Sequence, residues 1–329
     1  MTGLKFRMYL LLVLLFAIIY AVISIIGVHM GISNFYFYIV LSAALMFAQY
    51  MLGPKLVELS MRVKYAEKAE YPHLHAMVAD LASRAGIPVP KLGISEVDIP
   101  NAFAFGRGRS DGRVCVTRGI LRLLNNEELK AVLGHEITHL KNRDVLAITI
   151  LSVIPMILYR VAWHFLWFGG GRRREQGSNA ALIGIAAFMF YFITNLLVLY
   201  GSRVREYFAD RGSIELGNSP ATLAAALYKL VYGSARMKKE AIRNVEGFKA
   251  FFVNDPSRAV NEIKELARID INNDGTIDEN ELRILRNKHV TLAFRDKMME
   301  CMSTHPDMLK RVKRLAEYRV GSFREGHDK

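Results

Sequence analysis

Cysteine is nearly absent from this chain. Only Cys115 and Cys301 occur in 329 residues. Two thiols so far apart build no disulfide framework and fit a reducing compartment. There is no internal repeat, helix-turn-helix signature, zinc ribbon or basic–aromatic repeat, so the formal charge of +13 has no nucleic-acid pattern to serve. Charge itself is missing from one long stretch. Between Met8 and Pro54 there is no Asp, Glu, Lys or Arg. As a single helix that stretch would be about 70 Å long, more than one bilayer crossing needs.

What is present is segregated. The chain is 52% hydrophobic and still 23% charged, as expected when apolar blocks sit in lipid and charged blocks in water. Gly27, Gly31, Ser33 and Asn34 divide the first apolar stretch, which predicts two spans, Met8–Val28 and Phe35–Leu52. A third block runs from Val145 to Phe168, interrupted by Arg160 and His164, and a fourth from Gln176 to Ser202. The expected organisation is therefore two transmembrane helices in 1–54 and a first soluble part in 55–144. Two further spans or a hairpin fill 145–202, and a second soluble part occupies 203–329. The predicted fold class is mainly α with a small β-sheet (α+β), with a four-span helical membrane region.

Within 55–144, "KYAEKAEYPHLHAMVADLASRAGI" predicts a helix closed by Gly86, Pro88 and Pro90. "KLGISEVDIPNAFAFG" and "RVCVTRGILRLL" predict strands around the turn "RGRSDGR". Asn101, Ala102, Phe103 and Ala104 of "NAFAFG" read equally well as core or as an edge strand that pairs with an extended peptide substrate.

The chemistry concentrates in "NNEELKAVLGHEITHLKNRD". Asn125 followed by Glu128 is a capping-box start, and Lys141 and Arg143 suit a C-terminus near Asn142. On that helix His135 and His139 share a face one turn apart, so both imidazoles can reach one metal ion. Glu136 falls in the apolar arc of Leu129, Val132, Leu133 and Leu140. A solvated helix gains nothing from a carboxylate there, whereas a general base facing metal-activated water belongs there. Zinc hydrolases take three protein ligands and leave one position open. "SRVREYFADRG" offers Glu206 as the third ligand, with Asp210 four residues on to hold the outer ring N–H of a ligand histidine. His305 in "STHPDML" and Arg211 are candidates to steady the oxyanion of the reaction.

Topology constrains this assignment. His139 and Glu206 need an even number of crossings between them, and the third and fourth blocks supply two. Lys5, Arg7, Lys55, Arg62, Lys64, Lys68, Lys141, Arg143, Arg203, Arg205 and Arg211 then all fall on one side, which the positive-inside rule makes cytoplasmic. Arg172, Arg173 and Arg174 fall on the other. Either Arg160 reaches the interface or protein, or blocks three and four form a tilted or re-entrant hairpin.

The HEITH helix, "SRVREYFAD", "NAFAFG", "STHP" and the apolar blocks together resemble the HtpX family of membrane-embedded zinc metalloproteases. The resemblance implies a cytosolic gluzincin-like protease domain, zinc held by His135, His139 and Glu206, and Glu136 as catalytic acid/base. It implies damaged or misassembled membrane proteins as substrates, the lipid bilayer as surroundings, and a multi-pass place in the cell membrane. Two other readings compete: a CAAX-type prenyl-protein endopeptidase, and a metal-binding membrane scaffold without turnover.

One segment departs from that resemblance. "DINNDGTIDENE", residues 270–281, fits the EF-hand loop rule, with Asp270, Asn272, Asp274, Thr276, Asp278 and Glu281 at ligand positions and Gly275 at the turn. The insert 257–290 reads as a calcium-binding loop or as a helix–turn–helix that never meets calcium.

Overall fold

The computed structural model describes residues 50–144, 177–237, 258–272, 274–288 and 294–318, with short pieces at 47, 158–159, 161–162, 165–166 and 252–253. The described chain is mostly helical with one small mixed sheet. It divides into two compact units, residues 1–52 with 146–204 and residues 53–145 with 205–329. The two N-terminal spans and most of the third apolar block lie outside the described residues.

In the first unit the fourth apolar block is helical. Helix α4, Gly177–Glu215, runs on past the end of that block at Ser202 and carries Glu206 and Asp210. The span holds no proline, and its isolated glycines, Gly184, Gly201 and Gly212, do not stop a helix this long. Ala181–Glu215 is the one helix among the described residues long and apolar enough to cross a membrane. Leu182, Ile185, Phe188, Met189, Phe192 and Ile193 lie exposed along it, an apolar surface that water would not tolerate at this extent.

The second unit is built around the sheet. β1 (Val63–Tyr65) pairs antiparallel with β2 (Lys91–Ser95), β2 pairs parallel with β4 (Gly112–Thr117), and β3 (Ala102–Gly106) closes the order β1-β2-β4-β3 antiparallel to β4. Side chains alternate between faces. Leu92, Ile94, Ala102, Val114 and Val116 belong to the main core, while Phe103, Phe105 and Cys115 pack on the other face with Val57, Met61, Ile99 and Phe252. A sheet covered on both sides explains why every residue of β4 is buried.

Two sequence expectations shift here. Helix α1 spans Pro72–Ala85 and does not reach back into "KYAEKAE". Pro72 lacks an N–H and suits the first helical turn, while its ring disfavours helix in the residue before it. Val63–Tyr65 instead pairs with β2. The predicted strand "RVCVTRGILRLL" is half strand and half helix, since α2 spans Arg118–Leu123. Thr117 makes the switch. Its hydroxyl accepts from Ile120 N at 3.2 Å as a helix cap and from Asn101 N at 2.9 Å, and donates to Ile99 O.

Helix α3, Asn126–Asn142, begins with the expected capping box between Asn125 and Glu128. It packs against α1, β3 and α5 (Pro220–Ala235). Glu128 also receives Lys229 Nζ from α5 at 2.7 Å. The remaining helices are α6 (Ala259–Leu266), α7 (Glu279–Asn287), α8 (Phe294–Cys301) and α9 (Met308–Ala316).

Candidate active site

The site forms where α3 meets the last turns of α4. Two glycines permit that approach. A Cβ on Gly212 would lie 2.2 Å from Thr138 Cγ2, and one on Gly134 would lie 2.9 Å from Ser213 Oγ. The backbones close to the point where Ser213 Oγ donates to Ala131 O at 2.6 Å. Glu206 and Asp210, one turn apart on α4, then face His135 on α3.

The three predicted donors converge. His135 Nε2 and His139 Nε2 are 3.2 Å apart. Glu206 Oε2 is 3.4 Å from the first and Glu206 Oε1 3.6 Å from the second. Bond lengths near 2.0–2.2 Å in a tetrahedral zinc site put neighbouring ligand atoms about 3.3–3.6 Å apart. Among the described residues this is the one group of three His, Cys, Asp or Glu whose ligand atoms all lie within 4.8 Å of each other. Protonation explains why it fits a cation. His135 Nδ1 lies 2.9 Å from Asp210 Oδ1, and His139 Nδ1 lies 2.7 Å from Asp144 Oδ2. A carboxylate at each Nδ1 favours a proton on that nitrogen, which in a neutral ring leaves the Nε2 lone pair for a cation. Two lone pairs aimed at one point repel unless a positive charge sits between them. Glu206 Oε2 is buried without a hydrogen-bond partner, and His135 Nδ1 lies at ion-pair distance from Asp210 without hydrogen-bond geometry.

Glu136 is 4% exposed and sits one residue from His135. Burial pushes its carboxyl above the usual range, against the pull of His135 and His139 and a hydrogen bond from the Ala104 N–H. A buried carboxyl of raised pKa beside a cation site is equipped to accept and return a proton.

The other predicted residues divide. His305 is buried, with Nε2 3.9 Å from Glu206 Oε1 and Nδ1 2.9 Å from Thr304 Oγ1. Arg211 Nε pairs with Glu215 Oε1 at 2.7 Å, one turn along α4. The arginine that arrives is Arg311 on α9, fully buried. Its Nε and Nη2 grip Asp210 at 2.9 and 2.6 Å, and its Nη1 lies 3.4 Å from Glu206 Oε2. Arg311 was readable by the same logic as Glu136. It occupies the apolar stripe of Met308, Val312 and Leu315, all buried. Asp144 was also missed. It follows Arg143, whose left-handed backbone (φ 59°) ends α3 and turns the chain back toward His139.

In "NAFAFG" the side chains and the backbone serve different ends. Asn101 is fully buried and its Oδ1 accepts from Val253 N at 2.9 Å, while Ala102 and Phe103 are core. Thr117 N bonds to Asn101 O, so residues 101, 103 and 105 face β4, and Ala102, Ala104 and Gly106 turn their backbone groups outward.

Of the two readings of the EF-hand-like loop, the calcium reading gains no support: the one group of His, Cys, Asp or Glu at metal-binding distance among the described residues lies elsewhere. The loop's carboxylates accept hydrogen bonds within the protein. Asp270 accepts from Asp274 N, Gly275 N and Tyr228 Oη at 3.1, 3.0 and 3.0 Å. Asn272 and Asp274 bond each other, and Asp274 Oδ1 accepts from Thr276 N. Asp278 and Glu281 form the capping box of α7, and Glu281 also accepts from Ile271 N. The acidic pattern is that of a capped helix–turn–helix.

An HExxH helix, a glutamate from a second helix and a buried carboxyl beside them define a metallopeptidase-type site. Comparison with known proteins agrees. The profile of peptidase family M48 matches residues 68–319. Over 228 residues, 69% of this chain and 86% of the relative, it is 52% identical to a "Protease HtpX homolog" of Methanothermobacter thermautotrophicus. A second of that name, from Moorella thermoacetica, is 38% identical over 80% of this chain and 89% of its own length. A crystal structure of Ste24p from S. mikatae superposes with a TM-score of 0.46 at 17% identity, covering 97% of this chain and 67% of that one. The chain belongs to peptidase family M48, among the HtpX proteases. It is a metalloendopeptidase of the membrane, which sets aside the idle scaffold.

Proposed function

We propose that His135, His139 and Glu206 hold zinc and that Glu136 is the catalytic acid/base of a gluzincin-type endopeptidase. The convergence of the three donors beside a buried Glu136 carries this reading. When bound there, zinc acidifies water and polarises a carbonyl. Glu136 takes the proton and returns it to the leaving amine nitrogen, a role worth about 10²–10⁴-fold in rate. Asp210 and Asp144 keep the histidine protons on the outer nitrogens. The outward backbone groups of Ala102 and Gly106 and the Ala104 carbonyl accept an extended substrate as an added strand, next to Glu136, which holds the Ala104 N–H. His305 stands beside Glu206 and is placed to meet negative charge that develops on the substrate.

The reading extends to topology and substrate. Four spans, with the site on the cytoplasmic side, follow from the distribution of Lys and Arg. Substrates are membrane or unfolded polypeptides, because a strand-addition site recognises backbone and therefore needs a locally unfolded chain. Glu136→Gln tests the mechanism. Full-length protein should keep its zinc and lose cleavage of a casein-type substrate by at least about 10²-fold. A variant that still cleaves at the wild-type rate removes the assignment.

A further inference from the structure

The second unit is assembled from two stretches, 53–145 and 205–329. Asp144 stands at the end of the first and Arg205 at the start of the second. They meet directly: Arg205 Nη1 donates to the Asp144 backbone O at 2.9 Å, across 61 residues of chain. Both residues are buried, Asp144 at 9% and Arg205 at 5% exposure. Each is also coupled to a metal donor. The Asp144 carboxylate holds His139 Nδ1 at 2.7 Å, and Arg205 is the neighbour of Glu206 on α4.

We propose that Asp144 and Arg205 form a clasp that positions the metal ligands, joining the histidine helix to the glutamate helix across the intervening apolar detour. This rests on His135, His139 and Glu206 being the metal ligands. Consecutive helical residues point about 100° apart. Holding Arg205 against the end of α3 therefore sets the rotation of α4 about its axis, and with it the direction of Glu206 and, four residues on, Asp210. The two atoms of Asp144 divide the work. Its carbonyl holds Arg205 and so orients Glu206; its carboxylate orients the His139 ring. The left-handed turn at Arg143 lets one residue do both, because it brings Asp144 back over the last turn of α3. Arg205 and Asp144 are positioning residues; neither is required to touch substrate.

The division of labour makes the clasp testable by metal affinity, without recourse to turnover. Full-length protein in detergent or bilayer is titrated with zinc against a competing chelator, and with cobalt to read the ligand field from its visible spectrum. Asp144→Asn keeps the carbonyl and loses the carboxylate. Arg205→Met keeps the carboxylate–histidine contact and loses the clasp. Each should weaken zinc about 10–100-fold and alter the cobalt spectrum, and the double variant should lose less than the product of the two. Arg205→Lys, which retains one donor, should recover part of the affinity and serves if Arg205→Met fails to fold. Arg122→Gln, in an exposed pair with Asp98, should change nothing. Wild-type affinity in Arg205→Met or Arg205→Lys together with Asp144→Asn overturns the clasp. Failure of the wild type itself to bind zinc would instead overturn the ligand assignment.

Discussion

At the scale of single residues, the site is a chain of charges that makes sense only as a set. Asp210 is buried between His135 and Arg311, and the bidentate grip of Arg311 satisfies the carboxylate that in turn orients the ring. Arg311→Met removes the cation and leaves a buried carboxylate without its partner. Breaking such a pair costs about 3–5 kcal/mol. Full-length Arg311→Met should therefore show a markedly lower melting temperature as well as weakened zinc binding. An unchanged melting temperature would show that Asp210 finds other compensation. The sequence pointed toward Asp210 because E-x-x-x-D places both acids on one helical face. It also set Arg311 in an apolar stripe, but nothing local says which acid, 101 positions distant, that arginine will meet.

At the scale of elements, the close crossing of α3 and α4 is the feature on which the ligand geometry depends. Gly212 leaves no room for a methyl group, since its Cβ would fall 2.2 Å from Thr138 Cγ2 and 2.4 Å from Thr138 Oγ1. Gly212→Ala should push the helices apart, lowering both stability and zinc affinity. Thr138→Ala in the same chain should restore part of the loss by removing the two closest atoms. Equal zinc affinities for Gly212→Ala and the wild type would show that the helices can part without disturbing the ligands. The N-terminus of α3 offers a simpler check. Asn125 caps Glu128 N at 2.9 Å, and Asn125→Ala should cost about 1 kcal/mol, read as a shift in denaturation midpoint.

Elements also show where local reading failed. "RVCVTRGILRLL" carries apolar residues that suit a strand throughout, but Thr117 caps a helix from inside it. The 270–281 loop has the acid spacing of a cation site, and its Asp278 and Glu281 also begin α7. The capping box and the cation loop share residue types, and pattern alone does not separate them.

At the scale of the whole molecule, a metal that joins two stretches of one unit acts as a cross-link. An ion bound to the folded state and not the unfolded state adds RT ln(1 + [L]/Kd), about 2.7 kcal/mol at one hundred times Kd. Chelator treatment of full-length protein should lower the melting temperature, and zinc should restore it. A melting temperature indifferent to both would mean that the two stretches hold together without the ion. The proposed topology has its own measurement. Single cysteines near Lys141 and near Lys310 should be labelled from the cytoplasmic face, and one near Arg173 from the opposite face. Labelling of all three from one face would reduce the 145–202 segment to a re-entrant hairpin.

The sequence by itself determined what depends on neighbours within a turn or two. These are the capping box at Asn125, the shared face of His135 and His139, Glu136 in an apolar arc, the pairing of Glu206 with Asp210 along one helix, and the apolar blocks. Helical periodicity and capping are local, so these features survive in a string of letters. Tertiary structure decided what depends on partners far along the chain. It brought Arg311 to Asp210, Arg205 to Asp144 and the Val253 N–H to Asn101, across 101, 61 and 152 residues. It also turned the inner side chains of "NAFAFG" to the core and its alternate backbone groups outward. Burial selects such contacts among many that the composition would allow, and only the folded chain states which charge is buried beside which.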